Sequence, residues 1–180
     1  MSRNRRQFGW LAAGIVFLLL FPMLSQAQLV ATGVINGSVQ HRGGIVLILM
    51  SDSNGVSLTS SSTPNAGVNF GAVSMFGALA TGVSRNTTAN SFTVSTPVDV
   101  YVDSGGVSST SFNLSASLAS AAGALTYQLG ANTLNTTSQI ISQNDARYST
   151  AVPYTLAITM PSTVAAGAIT NTINLTAVAN

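Results

Sequence analysis

Residues 92–103 constrain this chain more than any other segment, because apolar and polar side chains alternate there without a break. Phe92, Val94, Thr96, Val98, Val100 and Val102 share one parity, and Thr93, Ser95, Pro97, Asp99 and Asp103 share the other. Successive side chains of a strand point to opposite faces, so this period of two predicts a strand with one face in a core and the other in water. Pro97 has no N–H to give to a ladder, which places it at a sheet edge or where the strand changes partner. The same period returns at Phe112, Leu114, Ala116 and Leu118, at Leu125, Tyr127 and Leu129, at Val152, Tyr154, Leu156, Ile158 and Met160, and at Ile169, Ile173, Leu175 and Ala177. Residues 45–50 are apolar throughout, which predicts a central strand buried on both faces. Clusters of Ser, Asn, Asp and Gly at 51–55, 60–67, 85–90, 104–106, 132–138 and 142–147 read as turns. No 3.6-residue stripe exceeds two turns, and only 73–83, with Met75, Phe76, Leu79 and Ala80, admits a single helical turn. Seven or eight short strands separated by turns predict an all-β fold, a single antiparallel immunoglobulin-like β-sandwich over residues 41–180.

Charge narrows the function. Only 6% of the 180 residues are charged, and with no Lys and no Glu every cation is Arg and every acid Asp. The formal charge of +2 comes from Arg3, Arg5 and Arg6 at the start; the remainder carries Arg42, Arg85 and Arg147 against Asp52, Asp99, Asp103 and Asp145. Three arginines cannot neutralise a phosphate backbone, so nucleic acid is excluded as a partner. There is no cysteine, hence no disulfide to supplement the core.

Residues 1–27 read as an export signal: a basic start, an apolar run from Phe8 to Leu20, Pro22 to break a helix, then Ser25-Gln26-Ala27. Small residues at Ser25 and Ala27 fit a cleavage site, which puts the cut between Ala27 and Gln28. The 17 residues 8–24 just reach the lower limit of a membrane span, so a retained anchor is the alternative. Arg5-Arg6 also fits a twin-arginine signal, although a plain basic segment has the same letters. The expected mature chain has no transmembrane segment and reaches the cell surface or the medium by way of the periplasm.

Catalytic and metal chemistry finds little to work with. The single His41 has no Cys or Glu beside it, and His41-Arg42-Gly43-Gly44 reads as a turn. Asp99 and Asp103 are four residues apart on one strand face, roughly 13 Å, farther than either glycosidase geometry allows; outward, solvated charges that discourage edge pairing are the better reading. Asp52-Ser53-Asn54-Gly55 opens like a calcium loop but lacks the later acidic ligand. The expectation is a protein that is not an enzyme and holds no cofactor or metal.

The segment 28–40 is a candidate donor strand. From Leu29 to Val39 the odd positions Leu29, Ala31, Gly33, Ile35, Gly37 and Val39 are all apolar or small. Such a strand can plug a groove in a second copy, with Gly33 permitting close backbone approach, or it can be the first strand of its own sheet. Both remain open at this point.

Farther along, Asn69-Phe70-Gly71 after a small polar stretch, Tyr127-Gln128-Leu129 in mid-domain, and the Gly-containing turn with a Thr-rich strand at residues 165–176 follow one another in an order that resembles the spore-coat-U and archaic chaperone–usher pilin group. The chain departs from that group in lacking its cysteine pair. The resemblance implies a structural subunit of a surface filament or pilus that homopolymerises by donating its N-terminal strand, with a periplasmic chaperone and an outer-membrane usher as partners. A secreted carbohydrate-binding or adhesin-type sandwich is the alternative; Tyr101, Tyr127, Tyr148 and Tyr154 are the tyrosines available to it, since Trp10 lies in the signal.

Overall fold

Alternation becomes pairing in eleven strands, and in the computed structural model, which describes residues 29–39 and 44–180, no residue is helical. In chain order these are β1 (Leu29–Val39), β2 (Val46–Ser51), β3 (Asn65–Val73), β4 (Ser84–Thr87), β5 (Ser91–Asp103), β6 (Phe112–Leu118), β7 (Thr126–Leu129), β8 (Asn132–Leu134), β9 (Gln139–Asp145), β10 (Ala151–Pro161) and β11 (Ala168–Ala179). They form two sheets in an all-β, sandwich-like fold. One has the order β3-β1-β11-β6-β9; the other has β2-β5-β10-β7-β8, with β4 also pairing β5. The expected export signal, its cleavage site at Ala27 and Gln28, and the 41–43 turn lie outside the described residues.

The core sits between the inner faces. On β5, Val94, Thr96, Val98, Val100 and Val102 are buried while the alternate positions are half-buried, as a period of two requires. Phe70, Leu47, Leu49, Leu114, Leu129, Ile158, Met160, Ile173 and Leu175 are almost completely enclosed. Each such side chain contributes about 1.5–3 kcal/mol on leaving water. The buried hydroxyl of Thr96 accepts a hydrogen bond from the Val56 N–H at 2.9 Å, so its place in the apolar row leaves no unsatisfied polar group.

Pro97 lies where β5 changes partner. One edge of β5 pairs with β4 over Phe92–Ser95 and with β2 over Val98–Asp103, and Thr96 and Pro97 fall in the gap. The missing N–H therefore interrupts no ladder on that side.

Four sequence expectations are corrected. The sandwich is not purely antiparallel: β1 pairs β11 in parallel and β3 antiparallel. Residues 45–50 do not form a central strand buried on both faces; β2 is an edge strand with Leu47 and Leu49 inward and Val46 44% exposed. Its outer edge is protected instead by the loop before β3, since Leu49 N–H donates to Thr63 O at 2.9 Å and Ser62 N–H to Leu49 O at 2.7 Å. Residues 73–83 make no helical turn; after β3 they form a loop whose Met75 and Leu79 pack on the core, with Phe76 59% exposed. Finally, the polar clusters at 85–90, 132–138 and 142–147 contain most of β4, all of β8 and part of β9, which raises the strand number above the seven or eight expected.

Candidate functional site: the slot that holds the N-terminal strand

β1 is not an edge strand. It lies between β3 and β11, with Ala31 opposite Ile169 and Gly71, Gly33 opposite Asn171 and Val68, and Ile35 opposite Ile173 and Ala66. Its inward parity reaches the core: Ala31 is 0% and Ile35 1% exposed, whereas Val34, pointing outward, is 46% exposed. At the ends, the backbone of Leu29 pairs with Val73 and that of Val39 with Ala177. The odd-numbered residues singled out from sequence between Leu29 and Val39 thus lie on one strand within one slot. The chain itself fills that slot in this structure.

Close approach falls on a different glycine from the one expected. A Cβ at Gly33 would meet Val68 O at 3.8 Å, an ordinary contact, so the self-paired strand does not need glycine there. A Cβ at Gly37 would come to 2.5 Å from Leu47 Cδ2 and 2.8 Å from Pro64 O, and the Gly37 N–H donates to Pro64 O. Gly37 is the position at which the strand crosses the opposite sheet and the loop before β3, and there a side chain has no room.

Across the slot, Asn69-Phe70-Gly71 forms a bulge. Ala31 pairs with Gly71 and Thr32 with Asn69, leaving Phe70 as the extra residue. Gly71 takes φ +69°, its N–H donates to Asn69 Oδ1 at 2.8 Å, and Phe70 is fully buried. The signal read as a family resemblance therefore has a local physical role in shaping one wall.

The other wall, β11, is fixed by bonds that do not involve β1. Near its start the buried Asn171 donates through Nδ2 to Ser120 O at 3.0 Å and accepts from Ser120 Oγ at 3.1 Å. Just past its end, Asn180 Nδ2 donates to Ser111 Oγ at 2.9 Å and Asn144 Oδ1 at 3.0 Å, and Asn180 Oδ1 accepts from Asn113 Nδ2 at 2.6 Å. Side-chain amides satisfy one another here where no charge is available. Sequence reasoning missed this network because its members are 31 to 69 residues apart.

Elsewhere the titratable groups are dispersed. Arg147 forks onto Asp145, with Nε 2.8 Å from Oδ1 and Nη2 2.6 Å from Oδ2. These bonds outweigh the effect of burial and hold the Asp145 carboxyl down at about 2. Asp99 was expected to be a solvated outward charge; it is half-buried, and burial first, then the neighbouring Asp52, raise its pKa. At 52–55 the chain makes a turn, with Asn54 N–H on Asp52 Oδ1 at 2.7 Å and Gly55 N–H on Asp52 O at 3.1 Å. Among the described residues no three His, Cys, Asp or Glu side chains approach closely enough to hold a metal. Tyr127 is buried, and Tyr148 packs on Phe112 with ring centroids 5.0 Å apart and donates to Ser111 O. They do not form an exposed platform.

Comparison with known proteins finds no family model that matches the chain and no curated protein sequence that matches it.

Proposed function

We propose that the protein is a structural subunit of an extracellular surface filament, and that copies join by lending β1 to a neighbour's slot. The observation that carries this reading is the position of β1: the first strand of the described residues occupies the middle of a sheet. Removing it would uncover the facing edges of β3 and β11 and open an apolar groove where Ala31 and Ile35 had been. Such a gap can be filled by the same strand from a second copy, which brings the same backbone groups and the same apolar parity. Once the proposed cleavage after Ala27 has made β1 terminal, it leaves without threading any loop, and β11 keeps its anchors at Ser120, Ser111, Asn113 and Asn144 when it does.

The resemblance to archaic chaperone–usher pilins points the same way and supplies the partners: a periplasmic chaperone to shield the open slot and an outer-membrane usher to order assembly. Export follows from residues 1–27. N-terminal sequencing or intact mass of exported protein should find Gln28 first, or a residue within one or two of it; full-length protein in the inner membrane would contradict export by cleavage.

Peptide competition tests strand donation. A synthetic peptide spanning Leu29–Val39, added in excess to the purified full-length protein, should occupy slots as they open and shorten or abolish polymers seen by sedimentation and electron microscopy. A peptide with Ile35→Asp should do nothing, since a charge cannot enter the groove unpaired. Polymers that grow unchanged in the wild-type peptide would overturn the proposal.

A further inference from the structure

We propose that one end of the sandwich is a lipid-facing surface: while residues 1–27 are still attached, the domain stands on the membrane at that end, with Phe76 set into the interface. This rests on the export reading of residues 1–27 and is independent of strand donation.

Connectivity identifies the end. From Leu24, the last residue of the apolar run, to Leu29 the chain reaches at most about 18 Å. A membrane that holds residues 8–24 therefore lies close to the end of the sandwich at which β1 begins. There Leu29 pairs with Val73, the last residue of β3, and Val30 with Ala168, the first residue of β11. β6 runs antiparallel to β11 and finishes at Leu118, while β10 finishes at Pro161 opposite Ser91, the first residue of β5. The Ser162 N–H donates to Asn90 O at 2.8 Å, and Ser120 is bonded to Asn171 near the start of β11. The loops 74–83, 88–90, 119–125 and 162–167 thus gather at this one end.

None of these four loops contains a charged residue. Among the described residues, Asp103, Asp145 and Arg147 lie at the opposite end, where β5 and β9 finish and β10 begins, and Asp52 and Asp99 lie between. Arg85 is the one charge near the loops, and it is put to structural use. Its Nη1 donates to Ser74 O at 2.9 Å and its Nη2 to Gly77 O at 3.0 Å, which straps the loop on both sides of Phe76. Met75 and Leu79 pack on the core, yet Phe76 between them is 59% exposed. An aromatic ring held outward on a fixed loop has little left to lose in ordering when it meets an apolar phase. Ala121, Ala124, Ala165 and Ala166 on the neighbouring loops are exposed as well, and they bring no charge that lipid would have to desolvate. One ring binds a membrane weakly by itself. The short connection to residues 8–24 holds it at a high effective concentration, at which a weak contact is occupied. Aromatic side chains favour this interfacial depth.

Fluorescence of the full-length protein in phospholipid vesicles tests this. Trp10→Phe removes the chain's one tryptophan, so a single reporter can be placed at will. Vesicles with and without bromine on the acyl chains then read its depth, because bromine quenches only near contact. Phe76→Trp should be quenched roughly twofold or more, as a ring about 5–10 Å into the interface would be. Ala166→Trp on the adjacent loop should be quenched too, and Thr150→Trp at the opposite end should not. Adding Phe76→Asp, at an exposed side chain whose replacement leaves the fold intact, should remove most of the quenching at Ala166→Trp. Equal quenching at positions 76 and 150, or none at either in protein that floats with the vesicles, would overturn the proposal and leave export standing. Protein that does not float with the vesicles would remove the export reading and the lipid-facing end with it. A blue shift of Phe76→Trp on polymerisation without lipid, with no quenching in vesicles, would place this end against another subunit instead.

Discussion

Ile35→Asp should largely unfold the subunit, not merely stop its assembly. From sequence, a charge on a donor strand would be expected to block polymers while leaving the domain intact. The structure changes that expectation because Ile35 is 1% exposed and lies within its own sheet, between Ile173 and Ala66. Losing a buried isoleucine costs about 2–5 kcal/mol through lost transfer energy and the cavity left behind. A carboxylate in that place has no cation, and protonation to escape the charge adds a further cost of a few kcal/mol. Together these approach the whole stability of an ordinary domain, about 5–15 kcal/mol. The urea midpoint should therefore fall sharply or the transition disappear. Val34→Asp on the outer face of the same strand, at a side chain already 46% exposed, should change stability by less than about 1 kcal/mol. Equal effects at the two positions would show that β1 does not occupy its own sheet in solution.

That contrast also shows which parts of the molecule were legible beforehand. β5 was readable because packing on one face and water on the other impose the same period along all thirteen residues. β2 was misread because a six-residue apolar run carries no period: an edge strand whose outward Val46, Ile48 and Met50 are apolar gives the same letters as a central one. β4 was invisible for the opposite reason. Ser84-Arg85-Asn86-Thr87 has no apolar side chain and no fully buried residue, and it is a strand only because β5 offers it an edge.

The candidate site divides in the same way. The apolar parity of β1 was plain in the sequence, but its two neighbours were not, since pairing with β11 joins segments about 140 residues apart and runs parallel, the orientation that gives no hairpin signal. Gly33 was chosen for close approach because it is central in the strand. Which glycine is crowded depends on where Leu47 and Pro64 lie, and only the fold determines that. The amide network around Asn180 had no sequence signal, since in a chain rich in Asn and Ser any one of them looks like a turn residue.

The largest effect on assembly should come from a change that leaves the monomer more stable. Val34 and Thr172 are partners in the parallel pairing of β1 with β11, and both belong to the outer face. Strand neighbours there are about 4.8 Å apart, within the range a disulfide bridges, and the native chain contributes no competing thiol. Val34→Cys with Thr172→Cys should therefore oxidise within one molecule and tie β1 to its own slot. The crosslink closes a loop of well over a hundred residues, which in the chain-entropy account stabilises the fold by several kcal/mol. A strand that is tied down cannot be lent. The most direct measurement is the sedimentation profile of this double variant before and after reductant, with each single variant as a control. Oxidised protein should remain monomeric, and reduction should restore polymers at the wild-type rate. Oxidised protein that polymerises as readily as reduced protein would contradict strand exchange.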